Sequence, residues 1–208
     1  MSSLKRIALV CSAPLSDYSI ILQKLRNYPQ VIAIDGGADH CKAMGITPDL
    51  IVGDLDSISA STLDLFKETP VEKFPRDKDY TDLELALSTV DWTEVDEVTV
   101  FAALEKRSDH TLTNLIILSR YPGKLAFETE ETRCFAIDKT VTLEMTPGQT
   151  LSLIPINGPA TGVTSSGLKW ELQNHTLDKH FVSISNEATG SSVRVSVAEG
   201  DLLCFVSF

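Results

Sequence analysis

The sequence predicts an α/β protein, with a mostly parallel α/β domain over residues 1–128 followed by a β-sandwich over residues 135–208. Three observations predict it. Short apolar runs alternate with helix-like stretches through the first ~125 residues, the pattern of a parallel sheet with helical crossovers. Helical periodicity then fades. After residue 130, β-branched runs alternate with Gly- and Pro-containing turns, as in a sandwich or small barrel.

The apolar runs, in order, are Ile7 to Val10, Val31 to Ile34, Leu50 to Val52 and Val98 to Phe101, each of strand length and bounded by polar or glycine residues. Ser16 is placed to cap a helix carrying Ile20, Ile21, Leu22 and Leu25, and Gly45 to end a short helix begun near Ala38. Thr81-Asp82-Leu83-Glu84 forms a capping box, whose hydroxyl and carboxylate satisfy free amides of a helix's first turn. Leu83, Ala86, Leu87 and Val90 then share one helical face. Another helix begins near Ser108 or Asp109 and runs through Leu112, Leu115, Ile116 and Ser119.

Turn signals crowd the remainder: Thr146-Pro147-Gly148, Asn157-Gly158-Pro159, Ser165-Ser166-Gly167, Ala188-Thr189-Gly190 and Glu199-Gly200-Asp201. Val193, Val195 and Val197 alternate with Arg194, Ser196 and Ala198, which suits a strand with one buried face.

Bulk properties narrow the function. Eighteen Lys and Arg against 29 Asp and Glu give a net charge of −11. With no basic cluster, a nucleic-acid partner is not expected. A phosphate-bearing substrate would arrive with a cation, and a cationic substrate would be drawn in unaided. No run reaches the ~20 apolar residues of a membrane span. The segment Lys5-Arg6 before Ile7 to Cys11 is too short and too soon polar for an export signal. Cys11, Cys41, Cys134 and Cys204 lack zinc-ligand spacing, and free thiols fit a reducing cytoplasm.

Four polar clusters fall where an open α/β sheet places its ligands, after the carboxyl ends of strands. Asp35-Gly36-Gly37-Ala38 would let backbone amides approach a phosphate or ribose, or is simply a turn. In Gly53-Asp54-Leu55-Asp56-Ser57 two carboxylates can reach one hard cation such as Mg²⁺; alternatively Asp56 or Ser57 caps the next helix. Asp77-Lys78-Asp79-Tyr80-Thr81-Asp82 crowds three acids at a helix entrance. Asp82 suits the helix dipole without further purpose, whereas repulsion between Asp77 and Asp79 calls for a cation, and Lys78 can meet a phosphate. Arg107-Ser108-Asp109-His110 offers phosphate or transition-state stabilisation, or a cap beside a surface histidine. Neither a Walker-type phosphate loop nor a dinucleotide fingerprint is present. The remaining chemistry is a carboxylate-rich, metal-dependent site of the phosphoryl-transfer type.

These clusters in this order, with Pro48-Asp49-Leu50-Ile51-Val52 before the second and Thr111-Leu112-Thr113-Asn114 after the fourth, resemble the thiamine pyrophosphokinase family. Ser166-Gly167-Leu168-Lys169-Trp170-Glu171-Leu172 and Ser185-Asn186-Glu187 extend the likeness into the β-rich part. The resemblance implies transfer of diphosphate from Mg-ATP to the thiamine hydroxyl, releasing AMP, by a homodimer with active sites at the subunit interface. It implies Mg²⁺ and phosphate contacts from Asp54, Asp56, Asp77, Asp79 and Asp82, with Arg107 among the catalytic groups. It further implies nucleotide contacts from Asp35, Gly36, Gly37, Lys78, Arg107, Asp109, His110 and Asn114, and thiamine contacts from Trp170, Ser185 and Asn186. The thiamine assignment has independent physical sense, since an indole face is the best aromatic partner for a cationic thiazolium; a core position for Trp170 is the alternative.

The chain departs from the family where a Gly-Ala-x-Gly-Gly-Arg stretch is usual. Ala102, Glu105 and Lys106 replace three glycines before Arg107. Side chains then stand where backbone could approach a phosphate, and a positive-φ conformation is put at issue. Two further readings therefore stand beside the enzyme: a pterin-type diphosphokinase, and a non-catalytic thiamine-binding relative.

Overall fold

The computed structural model describes residues 5–75, 79–104 and 107–208. Asp77 and Lys78, and with them Glu105 and Lys106, lie outside the described residues. The chain divides into two compact units, one of residues 1–114 and 127–130, the other of 115–126 and 131–208.

The first unit alternates strand and helix: β1 (Arg6–Val10), α1 (Tyr18–Leu25), β2 (Gln30–Ile34), α2 (Gly37–Ala43), β3 (Leu50–Gly53), α3 (Ala60–Leu65), β4 (Val71–Lys73), α4 (Asp82–Ser88) and β5 (Glu97–Phe101). Next come α5 (Ser108–Leu118) and β6 (Leu125–Glu128), each divided between the units. The strand order β4-β3-β2-β1-β5 is parallel throughout. Each expected run is a strand because parallel strands covered on both faces need continuous apolar sequence. Ala8, Leu9 and Val10 are fully buried. On one face Ile21, Leu25, Ala38, Cys41 and Phe66 pack against Ala8, Val10, Ala33 and Ile51. Burying each Leu or Ile here contributes about 1.5–3 kcal/mol relative to leaving it in water.

Local chemistry sets the element ends. The capping box forms as read: Glu84 N–H donates to Thr81 Oγ1 at 3.2 Å and Thr81 N–H to Glu84 Oε2 at 3.1 Å. Gly45 takes φ +66° just beyond α2, a left-handed position that glycine adopts without a Cβ penalty. The cap of α1 is a correction. Asp17, not Ser16, accepts from Ser19 N–H at 2.8 Å and Ile20 N–H at 3.3 Å. Ser16 is drawn off by Glu130, which accepts from both its N–H and its hydroxyl.

The second unit holds β7 (Thr132–Ile137), β8 (Thr140–Glu144), β9 (Thr150–Ser166), β10 (His175–Leu177), β11 (Ser183–Glu187), β12 (Ser192–Ser196) and β13 (Glu199–Ser207). Their order is β7-β13-β9-β12-β8, with β10 and β11 also on β9 and every pairing antiparallel. The early part of β9 pairs with β13 and β11, its later part with β12 and β10, so one strand serves both layers of the sandwich. Val193 and Val195 are fully buried with Leu151, Leu153, Val163 and Leu202 in the core between them. Asn157-Gly158-Pro159 and Glu199-Gly200-Asp201 are irregularities inside strands, not connecting turns. A Cβ on Gly200 would lie 2.4 Å from the Pro159 carbonyl oxygen, so its glycine serves close strand approach.

Candidate active site

The strand order β4-β3-β2-β1-β5 reverses direction between β1 and β5, the crevice where open parallel sheets take ligands. A cleft of about 430 Å³ opens there, lined in part by Asp35, Thr81, Asp82, Asp109, His110 and Asn114. Its acids are Asp35 from the loop after β2, Asp82 from the start of α4 and Asp109 from the first turn of α5; Asp54 and Asp56, on the loop after β3, stand beside Asp35. Among the described residues, one ligand oxygen from each of Asp35, Asp54 and Asp56 lies within 4.8 Å of the others.

Strained backbone aims these groups. Asp35 has φ +47° and Leu55, between the other two acids, has φ +70°; left-handed conformations of this kind cost non-glycine residues about 1–2 kcal/mol each. Gly53 has φ +143°, and a Cβ there would stand 3.1 Å from that of Asp35. Asp56 N–H donates to Asp54 Oδ1 at 3.0 Å. Neither Asp56 nor Ser57 caps α3, which starts after Ser59, so capping does not account for these acids.

Burial raises the Asp35 pKa above the usual carboxylate range, and the negative charges of Asp82, Asp54 and Asp56 add to the shift; a hydrogen bond from Ser57 opposes it. Asp35 Oδ1 is buried and has no hydrogen-bond partner among the described residues. A buried, unpartnered carboxylate oxygen is costly, and three converging carboxylates repel one another. An all-oxygen, carboxylate donor set is what Mg²⁺ prefers, so the residues present fit that ion. Asp82 shares the cleft, while Asp79 is exposed and lies outside the three-acid group.

The glycines next to Asp35 have packing reasons of their own. A Cβ on Gly37 would lie 1.8 Å from the Val10 carbonyl oxygen, and one on Gly36 would lie 2.8 Å from Ser57 Oγ. Across the cleft, Arg107 donates to Asp109 through two nitrogens, at 3.2 and 2.7 Å. That hydrogen bonding holds the Asp109 carboxyl down at about 2. The buried Asn114 donates to the Ala103 carbonyl at 2.6 Å, tying α5 to the loop after β5. Ala102 has a left-handed φ of +54°, a conformation that glycine adopts without a Cβ penalty.

In the second unit Trp170 is 56% exposed, which removes the core alternative. Asn186 is only 2% exposed. Its Oδ1 accepts from Trp170 N–H at 3.1 Å, and its Nδ2 donates to the Trp170 carbonyl at 2.7 Å. Ser185 has φ +54° and donates its N–H to Ser152 Oγ at 2.9 Å. Lys169 Nζ sits 4.5 Å from the Trp170 ring centroid and 3.1 Å from Glu187 Oε2. Reading of the sequence missed Ser57 and Lys169 as participants, since nothing local announces either pairing.

This architecture defines a class: an acidic strand-end site on a parallel α/β unit, followed in the chain by an antiparallel β-sandwich presenting an exposed indole. Residues 21–128 match the family model for the thiamin pyrophosphokinase catalytic domain, and 137–202 that for its vitamin B1 binding domain. The chain belongs to the thiamin pyrophosphokinase family. It is similar to thiamine pyrophosphokinase 2 of Arabidopsis thaliana, 31% identical over 77% of this chain and 65% of that protein. It is 32% identical to thiamin pyrophosphokinase 1 of Caenorhabditis elegans over 78% of this chain and 72% of that one. The crystal structure of thiamine pyrophosphokinase from Bacillus subtilis superposes with a TM-score of 0.84 at 25% identity, covering 98% of this chain and 99% of that chain. The chain thus spans 65% of the length of the first of its curated relatives.

Proposed function

We propose that this chain transfers diphosphate from Mg-ATP to the hydroxyl of thiamine, giving thiamine diphosphate and AMP. The observation that carries the reading is the convergence of Asp35, Asp54 and Asp56 beside the strand-end cleft that Asp35 lines, with Asp35 Oδ1 buried and without a hydrogen-bond partner among the described residues. Asp35, Asp54 and Asp56 would hold Mg²⁺, with Asp82 across the cleft and Asp77 and Asp79 as further candidates from the loop before α4. Bound there, Mg²⁺ supplies neutralisation of the charge on the phosphates.

The chain's own groups do the rest. The thiamine hydroxyl oxygen bonds to the β-phosphorus as the bond from that phosphorus to the α–β bridging oxygen breaks. The hydroxyl proton passes to solvent, and AMP leaves with the bridging oxygen. Arg107 carries positive charge at the start of α5, held in one orientation by Asp109, and suits the charge that develops on phosphoryl oxygens. Lys78 is proposed as a second phosphate contact, and His110 and Asn114 as parts of the nucleotide wall. Gly36 and Gly37 bring main chain, with no side chain intervening, beside Asp35. Trp170 offers an exposed indole face to the thiazolium cation, on a main chain that Asn186 holds in place, and Ser185 is proposed as a further thiamine contact. We further propose a homodimer and a cytoplasmic setting; four free, buried cysteines suit a reducing compartment. Among the described residues no helix is long and apolar enough to cross a membrane.

The left-handed φ of Ala102 supports an enzyme over a degenerate binder, because that residue takes the backbone conformation that glycine would favour there. Incubating the purified protein with Mg-ATP and thiamine and separating the products tests the reading. Formation of AMP and thiamine diphosphate in equal amounts is expected, and the absence of both would refute it.

A further inference from the structure

The three acids come from two loops, and one hydroxyl joins those loops. Ser57 Oγ donates to Asp35 Oδ2 at 2.5 Å and accepts from the Gly36 N–H at 2.8 Å. A serine hydroxyl has one proton. An ionised carboxylate can only accept, so that proton goes to Asp35 while a lone pair receives the Gly36 N–H. The contact with Gly36 depends on glycine: a Cβ at that position would stand 2.8 Å from Ser57 Oγ. Asp35 Oδ2 thus accepts from Ser57, while Oδ1 is the buried oxygen without a partner among the described residues.

We infer that Ser57 is a positioning residue for the cation site: it locks the Asp35 carboxylate in the orientation that brings it into register with Asp54 and Asp56. Ser57 touches no reacting atom and acts through Asp35. The inference rests on reading the three carboxylates as that site. Hydrogen bonds from outer groups orient ligating carboxylates in this way, and removing one typically weakens metal binding about 10–100-fold. Ser57 itself is exposed, so losing its hydroxyl leaves the core intact.

The test uses the full chain and Mn²⁺ alone, with free Mn²⁺ counted by its paramagnetic resonance signal. Ser57→Ala should weaken Mn²⁺ binding about tenfold or more, while Ser57→Thr, which keeps the hydroxyl, should stay within about threefold of the parent chain. In turnover, Ser57→Ala should raise the Mg²⁺ concentration needed for half-maximal rate, with kcat recovering at saturating Mg²⁺. A purely structural serine would instead lower the melting temperature and leave that concentration unmoved. Wild-type Mn²⁺ affinity in Ser57→Ala, with binding lost in Asp54→Asn, would overturn the role of Ser57 alone. Wild-type affinity in Asp54→Asn would overturn the cation site and the inference with it. Should Ser57→Ala fail to fold, Ser57→Cys, of similar size but a weaker donor, decides the matter by the same two measurements.

Discussion

The two units use polar side chains in opposite ways. In the α/β unit, left-handed main chain at Asp35 and Leu55 accompanies a cluster of three carboxylates, and the functional groups are the side chains themselves. In the β unit, a buried side chain presents main chain: both ends of the Asn186 amide grip the backbone of Trp170, whose ring faces solvent. The first arrangement brings like charges together, a cost that a cation would relieve. The second leaves its polar groups partnered, with Ser185 at φ +54° as its strained residue. Mutations should therefore separate chemistry from stability at the clustered carboxylates and mix them at Asn186.

The sharpest break is Asp54→Asn or Asp56→Asn. Each should lower kcat by about a thousandfold, the scale of losing a preorganised electrostatic group, without reducing the melting temperature; product formation and calorimetry check both. In the β unit, Trp170→Ala should weaken thiamine binding about tenfold, a plausible size for a cation–π partner plus its contact area, with the fold unaffected. Asn186→Ala should also weaken binding but cost about 1 kcal/mol of stability, because the part-buried Trp170 N–H and carbonyl lose their partner. If Asn186→Ala proves as stable as the parent, the contrast between the units fails.

A smaller effect sharpens the comparison. Ala102→Gly should stabilise the protein by about 1 kcal/mol by removing a left-handed alanine, read as a higher urea midpoint with an unchanged slope. The smallest concerns Lys169, whose ammonium already sits by the Trp170 ring. Lys169→Met should tighten thiamine binding about threefold by removing a competing cation, given that exposed cation–π contacts are worth about 0.5–1 kcal/mol. Titration of Trp170 fluorescence measures it, and weaker binding would show that the lysine assists.

Much of the α/β unit was legible because its physics is local. Ile7 to Val10 and Val98 to Phe101 are short apolar runs that have few alternatives to buried strands, and Thr81 and Glu84 form their capping box within three residues. What escaped depends on distant partners. Whether Ser16 or Asp17 caps α1 is decided by Glu130, more than a hundred residues away in sequence. In the β unit Asn157-Gly158-Pro159 reads as a turn, yet β9 runs on through it with φ +63° at Asn157 and +141° at Gly158, carried by partners on both layers. The acids of the candidate site were visible as motifs. That Asp35 joins Asp54 and Asp56 while Asp79 stands apart depends on how β2 and β3 lie side by side.

Gly37 carries a practical warning. With the Val10 carbonyl 1.8 Å from where a methyl would begin, even alanine there must push α2 away from β1. A mutational scan scored on activity alone would rank Gly37 beside Asp54, although one keeps a helix seated and the other faces the chemistry. Pairing such a scan with a readout of protein abundance would pull the two apart, since Gly37 variants should vanish from the cell while Asp54 variants accumulate as inert protein.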